Sequence, residues 1–98
     1  MTIESKRDNG KLTITLTGRL DTVTAPKLEE TLREACNDVT VLIFDLAKLE
    51  YISSAGLRVL LSAQKTMNKQ GSMKIINARE EIMEIFEITG FTEILTIE

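Results

Sequence analysis

The middle of the chain carries a nearly continuous apolar run at residues 39–46. Such a run is typical of a strand that is covered on both faces, as in a parallel sheet. A helical pattern and then a shorter strand pattern follow it, with apolar positions at Leu57, Leu60, Leu61, Met67, Met73, Ile75 and Ile76. Gly71 is the predicted end of the helix. A strand, a helix and a strand in this order predict a right-handed βαβ unit.

The residues before this run predict an antiparallel hairpin. Three apolar residues alternate with threonines, which is the period of a strand with one buried face: Leu12, Ile14 and Leu16. The preceding Asn9-Gly10 suits the positive φ angles of a tight turn, so residues 3–7 are the predicted partner strand. We expect Gly18 to close this hairpin.

The segment between the hairpin and the apolar run predicts a helix. Its apolar positions recur at helical spacing and share one face: Leu28, Leu32, Ala35 and Cys36. Thr22 or Thr24 is predicted to cap the start, and Pro26 is compatible with a first turn. Because Cys36 belongs to this apolar face, we interpret its thiol as a small core group rather than a reactive one.

A third helix is predicted near the end of the sequence. Asn77 and Glu80 have the spacing of a capping box, and Gly90 is the predicted stop. Residues 92–98 are predicted to form either a last short strand or a frayed end. The predicted fold class is therefore α/β, with a mixed sheet, an N-terminal β-hairpin, parallel βαβ units and helices packed on the sheet.

Composition excludes several kinds of site. The 98 residues include no His and one Cys, so Ser-His-Asp and Cys-His catalytic sets, a zinc site of Cys and His ligands and an internal disulfide are impossible within the chain. The formal net charge of −3 gives no general attraction to nucleic acid or anionic membranes. With no apolar run of about 18 residues and no secretory signal, we expect a cytoplasmic protein that is not an enzyme and uses no cofactor or metal.

One stretch, residues 51–57, has distinctive chemistry and is predicted to be a loop between the apolar run and the second helix. In open α/β sheets, sites lie beyond the carboxyl ends of strands, near helix N-termini. Ser53 and Ser54 stand there, where a helix has unpaired N–H groups. Two interpretations stay open: a serine simply caps the helix, or one serine caps it while the other points outward as a place for a phosphate.

The second helix also carries a polar stripe that starts beside these serines. Its members recur at spacings of four, three and four: Arg58, Ser62, Lys65 and Lys69. The polar stripe is either an ordinary solvated face or a docking strip for an acidic partner.

Three segments together carry a family resemblance. Residues 45–57 resemble the signature of STAS domains, in which a strand with an Asp-Leu pair leads to a loop of the form (Phe/Tyr)-(Met/Ile)-Asp-Ser-(Ser/Ala/Thr)-Gly-Leu. Residues 16–21 are similar to the family's Leu-x-Gly-x-Leu-Asp segment, and Gly90-Phe91 to its Gly-(Leu/Phe) turn. The chain looks most like the bacterial anti-sigma factor antagonists, and the resemblance implies a single STAS domain over residues 1–98.

The resemblance implies a switch protein without catalytic activity. In this family the unphosphorylated form binds an anti-sigma factor, typically a serine kinase, and this frees the sigma factor. Phosphorylation by the kinase ends the binding, and a metal-dependent serine phosphatase restores it. Matched through Gly56 and Leu57, the phosphorylated serine falls on Ser54, with Ser53 as the alternative. The family's Asp before the acceptor is replaced here by Ser53.

The resemblance and the polar stripe together indicate a partner-binding set: Asp21, Ser53, Ser54, Gly56, Arg58, Ser62 and Lys65. Asp21 matches the family's acidic residue at the strand exit, and a turn or capping role is an equal alternative for it. Two other functions remain: an accessory STAS module of a transporter or another signalling complex, and a small enzyme or nucleotide-binding protein. The missing His and the absence of glycine-rich phosphate motifs disfavour the last.

Overall fold

Four strands form one mixed sheet in the computed structural model, which describes residues 1–98. β1 (Thr2–Asp8) pairs antiparallel with β2 (Lys11–Leu20), which pairs parallel with β3 (Val41–Ile52). β4 (Ser72–Ile76) pairs parallel with β3 at the other edge, so the strand order is β1-β2-β3-β4. The predicted mixed α/β sheet with an N-terminal hairpin and a parallel βαβ unit is confirmed.

Three helices connect or follow the strands. α1 (Ala25–Ala35) links β2 to β3, α2 (Ser54–Gln70) links β3 to β4, and α3 (Glu80–Thr89) follows β4. Each helix buries one apolar side in a single core that it shares with the strands. No helix of the chain combines the length and the apolarity that crossing a bilayer requires.

The helices pack on one face of the sheet only. Leu42 and Phe44 of β3 belong to the shared core, whereas Ile43 between them is buried outside it. Ile43 points to the opposite face, where the strand register places Thr13 and Lys74 on either side of it. The expectation of a strand covered on both faces is therefore met at Ile43, which is 5% exposed on the face away from the shared core.

The hairpin forms as predicted, but it is longer than predicted. Asn9 and Gly10 both have positive φ, 47° and 79°, and they join β1 to β2. Gly18 does not close the unit, because β2 continues through it to Leu20. The φ of Gly18 is 99°, and the β2–β3 register shifts beside it, so this glycine accommodates a bulge rather than a chain reversal.

The long central strand also extends beyond the apolar run. β3 continues to Ile52, and its buried Leu49 and Ile52 lie opposite Gly18 and Leu20 of β2. The stretch at residues 51–57 is therefore not a loop. Only Ser53 separates the end of β3 from the start of α2.

The C-terminus of α1 is held by side chains from two other elements. Arg7 of β1 donates hydrogen bonds to the carbonyl oxygens of Ala35 and Asn37. Gln70 at the end of α2 donates to the carbonyl oxygens of Cys36 (2.9 Å) and Val39 (2.7 Å). Carbonyl groups that have no partner within the helix are thereby satisfied.

Cys36 is the cap residue at this end of α1 and packs, half-buried, against the core. Burial raises the pKa of its thiol above the ordinary value, which disfavours the reactive thiolate. This position agrees with the interpretation of Cys36 as a small core group.

The start of α3 differs from the predicted capping box. The cap residue is Arg79, and Asn77 lies two positions earlier with a positive φ of 58°. The Asn77 side-chain amide donates to Asp45 Oδ1 over 3.2 Å, so it bonds to β3 instead of the helix. With its left-handed backbone, Asn77 does not have the extended conformation of a helix cap.

The end of α3 is as predicted. Gly90 has a φ of 79°, and its N–H donates to the Glu87 carbonyl oxygen over 3.2 Å, so α3 ends at a left-handed glycine. A short 3-10 turn, Phe91–Glu93, follows, and Ile97 then forms a parallel bridge with Ile75 beside β4. The tail therefore ends in a single-residue bridge at the sheet edge.

Candidate functional site

The carboxyl ends of β2 and β3 lie side by side at one edge of the sheet, where α1 and α2 begin. Leu20 and Ile52, the last residues of the two strands, are register partners. The Ser53 N–H donates to the Leu20 carbonyl oxygen over 2.9 Å, so the pairing continues one residue beyond β3. The turn after β2 and the start of α2 are thereby fixed against each other, at the edge where parallel sheets place their sites.

The two serines at this edge have different roles. Ser53 is the cap residue of α2, with extended backbone, and its Oγ accepts a hydrogen bond from the Gly56 N–H over 3.4 Å. Ser54 is the first residue of α2 and is exposed, whereas Ser53 is half-buried. The prediction that one serine caps the helix is confirmed. The Ser53 hydroxyl serves the helix, and the Ser54 side chain lies on the surface.

Asp21 folds the segment after β2 into a tight turn. Its Oδ1 accepts from the N–H groups of Val23 (3.0 Å) and Thr24 (3.1 Å). These bonds, above all the one from Thr24, hold the pKa of the carboxyl below its ordinary value. Thr24 Oγ1 accepts from the Asp21 N–H and donates to the Arg19 carbonyl, both over 2.8 Å. Asp21 therefore has the turn role that the sequence left open, and about 30% of its side chain stays exposed.

Of the two threonines predicted as possible caps, Thr24 and not Thr22 occupies the cap position of α1. Its side chain makes no hydrogen bond to the N–H groups of the helix, because the hydroxyl is used within the turn. The first N–H groups of α1 are bonded to backbone instead: Ala25 donates to the Asp21 carbonyl oxygen over 2.8 Å and Lys27 to that of Thr24 over 3.1 Å, while Pro26 has no N–H.

Arg19 and Tyr51 add a contact that the sequence analysis missed. They are register partners on β2 and β3, and the Arg19 guanidinium carbon lies 4.3 Å from the centroid of the Tyr51 ring. This distance is that of a cation–π contact. Arg19 Nε also lies 3.8 Å from Asp21 Oδ2. No spacing along the chain signals this pair, because it depends on a parallel register that shifts at two bulges.

Gly56 differs from the rest of the predicted partner-binding set because it is buried. An added Cβ would lie 2.7 Å from Leu20 Cγ and 2.9 Å from Ile52 Cγ1. Gly56 therefore lets α2 approach the ends of β2 and β3 closely. Its role is internal packing, and its assignment as a surface contact is corrected accordingly.

The polar stripe of α2 is exposed over its whole length. Arg58 lies at the serine end, where it lines a concavity of about 200 Å³ together with Thr22 and Ala55. Ser62 and Lys65 follow about one and two turns further along. Ser62 lines a second groove, of about 280 Å³, between α1 and α2. Along α2, Arg58 lies about one turn from Ser54, whereas Ser62 and Lys65 lie about two and three turns from it.

This arrangement defines what the edge can do chemically. It presents the exposed Ser54 hydroxyl at the N-terminus of α2, and Arg58 follows about one helical turn further along the same helix. No group of three or more His, Cys, Asp or Glu side chains is placed to hold a metal ion. The edge is therefore suited to modification and to binding.

Comparison with known proteins assigns the fold and the motif to one family. The family model described as "STAS domain" matches residues 2–98, so the chain belongs to the STAS domain family. The anti-sigma-B factor antagonist of Listeria monocytogenes is 33% identical over 101 residues, which cover 100% of this chain and 89% of the relative.

Solved structures share the same architecture. An anti-sigma factor antagonist from Mycobacterium paratuberculosis superposes with a TM-score of 0.88 at 24% identity, covering 98% of this chain and 83% of that one. The Bacillus cell fate determinant SpoIIAA in its phosphorylated form gives a TM-score of 0.78 at 17% identity, covering 99% and 91% of the two chains. At these identities the structural likeness concerns the fold.

Proposed function

We propose that this chain is an anti-sigma factor antagonist whose unphosphorylated form binds an anti-sigma factor and thereby releases a sigma factor. Phosphorylation of Ser54 ends the binding. The observation that carries this proposal is that two adjacent serines differ in their surroundings: Ser53 caps α2, and Ser54 is exposed beside it. The full-length similarity to a protein named anti-sigma-B factor antagonist supports the same function.

The switch follows from the charge that a phosphate adds. A phosphate on Ser54 carries about −1.5 to −2 charges at pH 7 and sits at the N-terminus of α2, where the helix dipole stabilises it. The modified chain therefore keeps its fold. A partner that covers Ser54 must instead bury an uncompensated anion or separate. The switch acts on the contact and needs no refolding.

The partner is a serine kinase, and the chain is its substrate and not a catalyst. A serine phosphatase that acts on phosphorylated Ser54 restores the binding form. The binding surface centres on Asp21, Ser54 and Arg58 and belongs to the single STAS domain of residues 1–98. Ser62 and Lys65 extend this surface along α2.

Phosphorylation is tested with the kinase-class anti-sigma factors encoded in the same genome. Each is purified and incubated with the chain and ATP, and the products are mapped by mass spectrometry. We expect one phosphate on Ser54 in the wild type and in Ser53→Ala, and none in Ser54→Ala. Full modification of Ser54→Ala would reject Ser54 as the acceptor.

Binding is tested with the same purified proteins by calorimetry. We expect Ser54→Asp to weaken the complex at least about tenfold, because an introduced charge must be desolvated at the contact. Ser5→Asp, the same change at an exposed position of β1, is the matched control and should bind as the wild type does. Equal affinity of Ser54→Asp and the wild type would reject the proposed charge clash.

A further inference from the structure

The outer side of β1 is an unpaired edge of the sheet. β1 is the first strand in the strand order and pairs only with β2. Its residues are exposed except for Ile3, which is half-buried against the core. The backbone N–H and C=O groups along such an edge are available to a strand of another chain. The charges of β1 indicate which strand fits this edge.

The register of the hairpin determines which backbone groups of β1 point outward. Asp8 and Lys11 flank the turn at Asn9-Gly10, so they form a hydrogen-bonded pair. Hydrogen-bonded pairs alternate with non-hydrogen-bonded pairs along an antiparallel ladder, so every second residue of β1 bonds to β2. The residues between them direct their N–H and C=O groups to the open edge: Ile3, Ser5 and Arg7.

The side chains of β1 are complementary to those of a second, antiparallel β1. When Ser5 lies opposite Ser5 of the second copy, the outward N–H and C=O groups meet along the whole strand. Glu4 of each copy then lies directly opposite Lys6 of the other copy. Both side chains are on the sheet face that bears no helices, because they pair with Thr15 and Thr13 of β2. Opposite charges that face each other across two strands stabilise their pairing.

Like charges disfavour the neighbouring registers of the same two strands. Only shifts by two residues keep the outward N–H and C=O groups opposite each other. One shift places Glu4 opposite Glu4, and the other places Lys6 opposite Lys6 and Glu4 opposite Asp8. Charges on an edge strand usually prevent pairing with other chains. The order of the charges in β1 instead permits pairing with a second β1 in one register.

We propose that two copies of this chain associate through β1 into a two-fold symmetric dimer with one continuous sheet. The two β1 strands run antiparallel, so the carboxyl ends of β3 lie at opposite ends of the joint sheet. Each copy therefore keeps its own Ser54 accessible, and the inference is independent of the proposed function. A single pair of strands buries less than the about 1,200 Å² of stable complexes, so we expect a dissociation constant between about 10 μM and 1 mM.

Sedimentation equilibrium of the purified chain at concentrations up to about 2 mM measures this dimer. In Lys6→Glu, and likewise in Glu4→Lys, both attractive pairs become repulsive, so the dissociation constant should rise at least about tenfold. The double variant Glu4→Lys, Lys6→Glu exchanges the charges and should dimerise as the wild type does. Lys65→Glu makes the same change in net charge as Lys6→Glu at an exposed position of α2. This matched control should leave the dissociation constant unchanged.

Two further measurements identify the edge itself. An equimolar mixture of Glu4→Lys and Lys6→Glu should form heterodimers, because each charge of one variant then faces an opposite charge of the other. Ser5→Pro removes an outward N–H that takes no part in the pairing with β2, whereas Ser5→Ala keeps it. Ser5→Pro should stay monomeric, and Ser5→Ala should dimerise as the wild type does.

The dimer is overturned if the wild type remains monomeric at about 2 mM. It is also overturned if the wild type dimerises but Lys6→Glu and Glu4→Lys dimerise equally well, because another surface then joins the copies. A double variant that dimerises no better than Lys6→Glu would likewise reject the pairing of Glu4 with Lys6. Calorimetry of Lys6→Glu with the anti-sigma factor keeps the two proposals apart. This variant should bind as the wild type does, whether or not the chain dimerises.

Discussion

The N–H of Ser53 and the carbonyl oxygen of Leu20 are joined by a hydrogen bond of 2.9 Å. This bond carries the β2–β3 pairing one residue past the end of the strand and fixes the backbone of the helix cap. Ser53 Oγ can then accept from the Gly56 N–H, and Ser54 becomes the first exposed residue of α2. The exposure of the proposed phosphoacceptor thus depends on strand pairing as well as on the helix.

The cap is tested by two substitutions of Ser53. Ser53→Ala removes a hydrogen bond that is long, at 3.4 Å, so the free energy of unfolding should fall by about 0.5–1 kcal/mol. Ser53→Asp places a carboxylate at the N-terminus of α2 and should raise it by about 0.3–1 kcal/mol. Urea unfolding at neutral pH measures both, with Ser5→Ala on β1 as the control. An Ala variant as stable as the wild type would show that the cap contributes nothing.

The close approach of α2 to the sheet is tested at Gly56. The Cβ of Gly56→Ala would lie 2.7 Å from Leu20 Cγ and 2.9 Å from Ile52 Cγ1, and both neighbours are buried. Overpacking of this kind costs about 1–3 kcal/mol, offset in part by the better helix propensity of Ala. We expect a lower melting temperature in thermal unfolding. A variant as stable as the wild type would show that Leu20 and Ile52 can shift away from the added Cβ at little cost in free energy.

Most of the fold can be predicted from the sequence because its signals are local. The alternating residues of β2, the turn at Asn9-Gly10 and the stop at Gly90 each rest on a few neighbouring residues. The capping box at Asn77 failed because Asn77 has left-handed backbone, and its amide bonds to Asp45, 32 positions away, instead of to the helix. The expected end of the hairpin at Gly18 failed for a related reason, since pairing with β3 continues across the bulge.

The site was predictable in part. The serine pair could be located because a strand pattern, two hydroxyls and a helix pattern follow one another directly. Which serine caps and which is exposed depends on the pairing of Ser53 with Leu20, and the contact of Arg19 with Tyr51 depends on the β2–β3 register. Such information lies in tertiary structure and has no fixed spacing along the chain.

The turn at Asp21 predicts a dependence of stability on pH. Hydrogen bonds to the carboxylate, first from Thr24, lower its pKa in the folded chain below the ordinary value of 3.8. The charged form therefore stabilises the fold above that value, and the contribution is lost as the pH falls through the folded pKa. Asp21→Asn should melt below the wild type at neutral pH, and the gap should close in acid. A gap that is constant with pH would contradict the charge-based account.

The hydrogen bonds that Gln70 donates to the chain after α1 are tested by substitution of Gln70. Its amide donates to the carbonyl oxygens of Cys36 and Val39, the second in a partly buried setting. Gln70→Glu keeps the size but replaces the donor with a carboxylate that faces two acceptors. We expect a loss of about 1–3 kcal/mol in the free energy of unfolding. Asn68→Asp, two positions earlier on the same helix, is the control, because it keeps the Oδ1 that accepts from Gln64 over 2.8 Å; equal losses in both variants would show that the Gln70 hydrogen bonds contribute nothing.

The polar stripe of α2 is tested as a docking strip through association rates. The double variant Lys65→Glu, Lys69→Glu should slow association with the anti-sigma factor about tenfold at low salt, with a smaller change in dissociation. The effect should shrink as ionic strength approaches about 0.15 M, because the Debye length is then about 8 Å.

The matched control for this double variant is Lys6→Glu, Lys27→Glu, which makes the same change in net charge at exposed positions on β1 and α1. Stopped-flow measurement of both variants over a series of salt concentrations separates a local effect from a global one. If both variants have equally reduced association rates, the reduction is caused by the net charge of the whole chain, and the docking strip is rejected. If only the α2 variant is slowed, the positive charge that guides the partner lies along the helix that begins at Ser54.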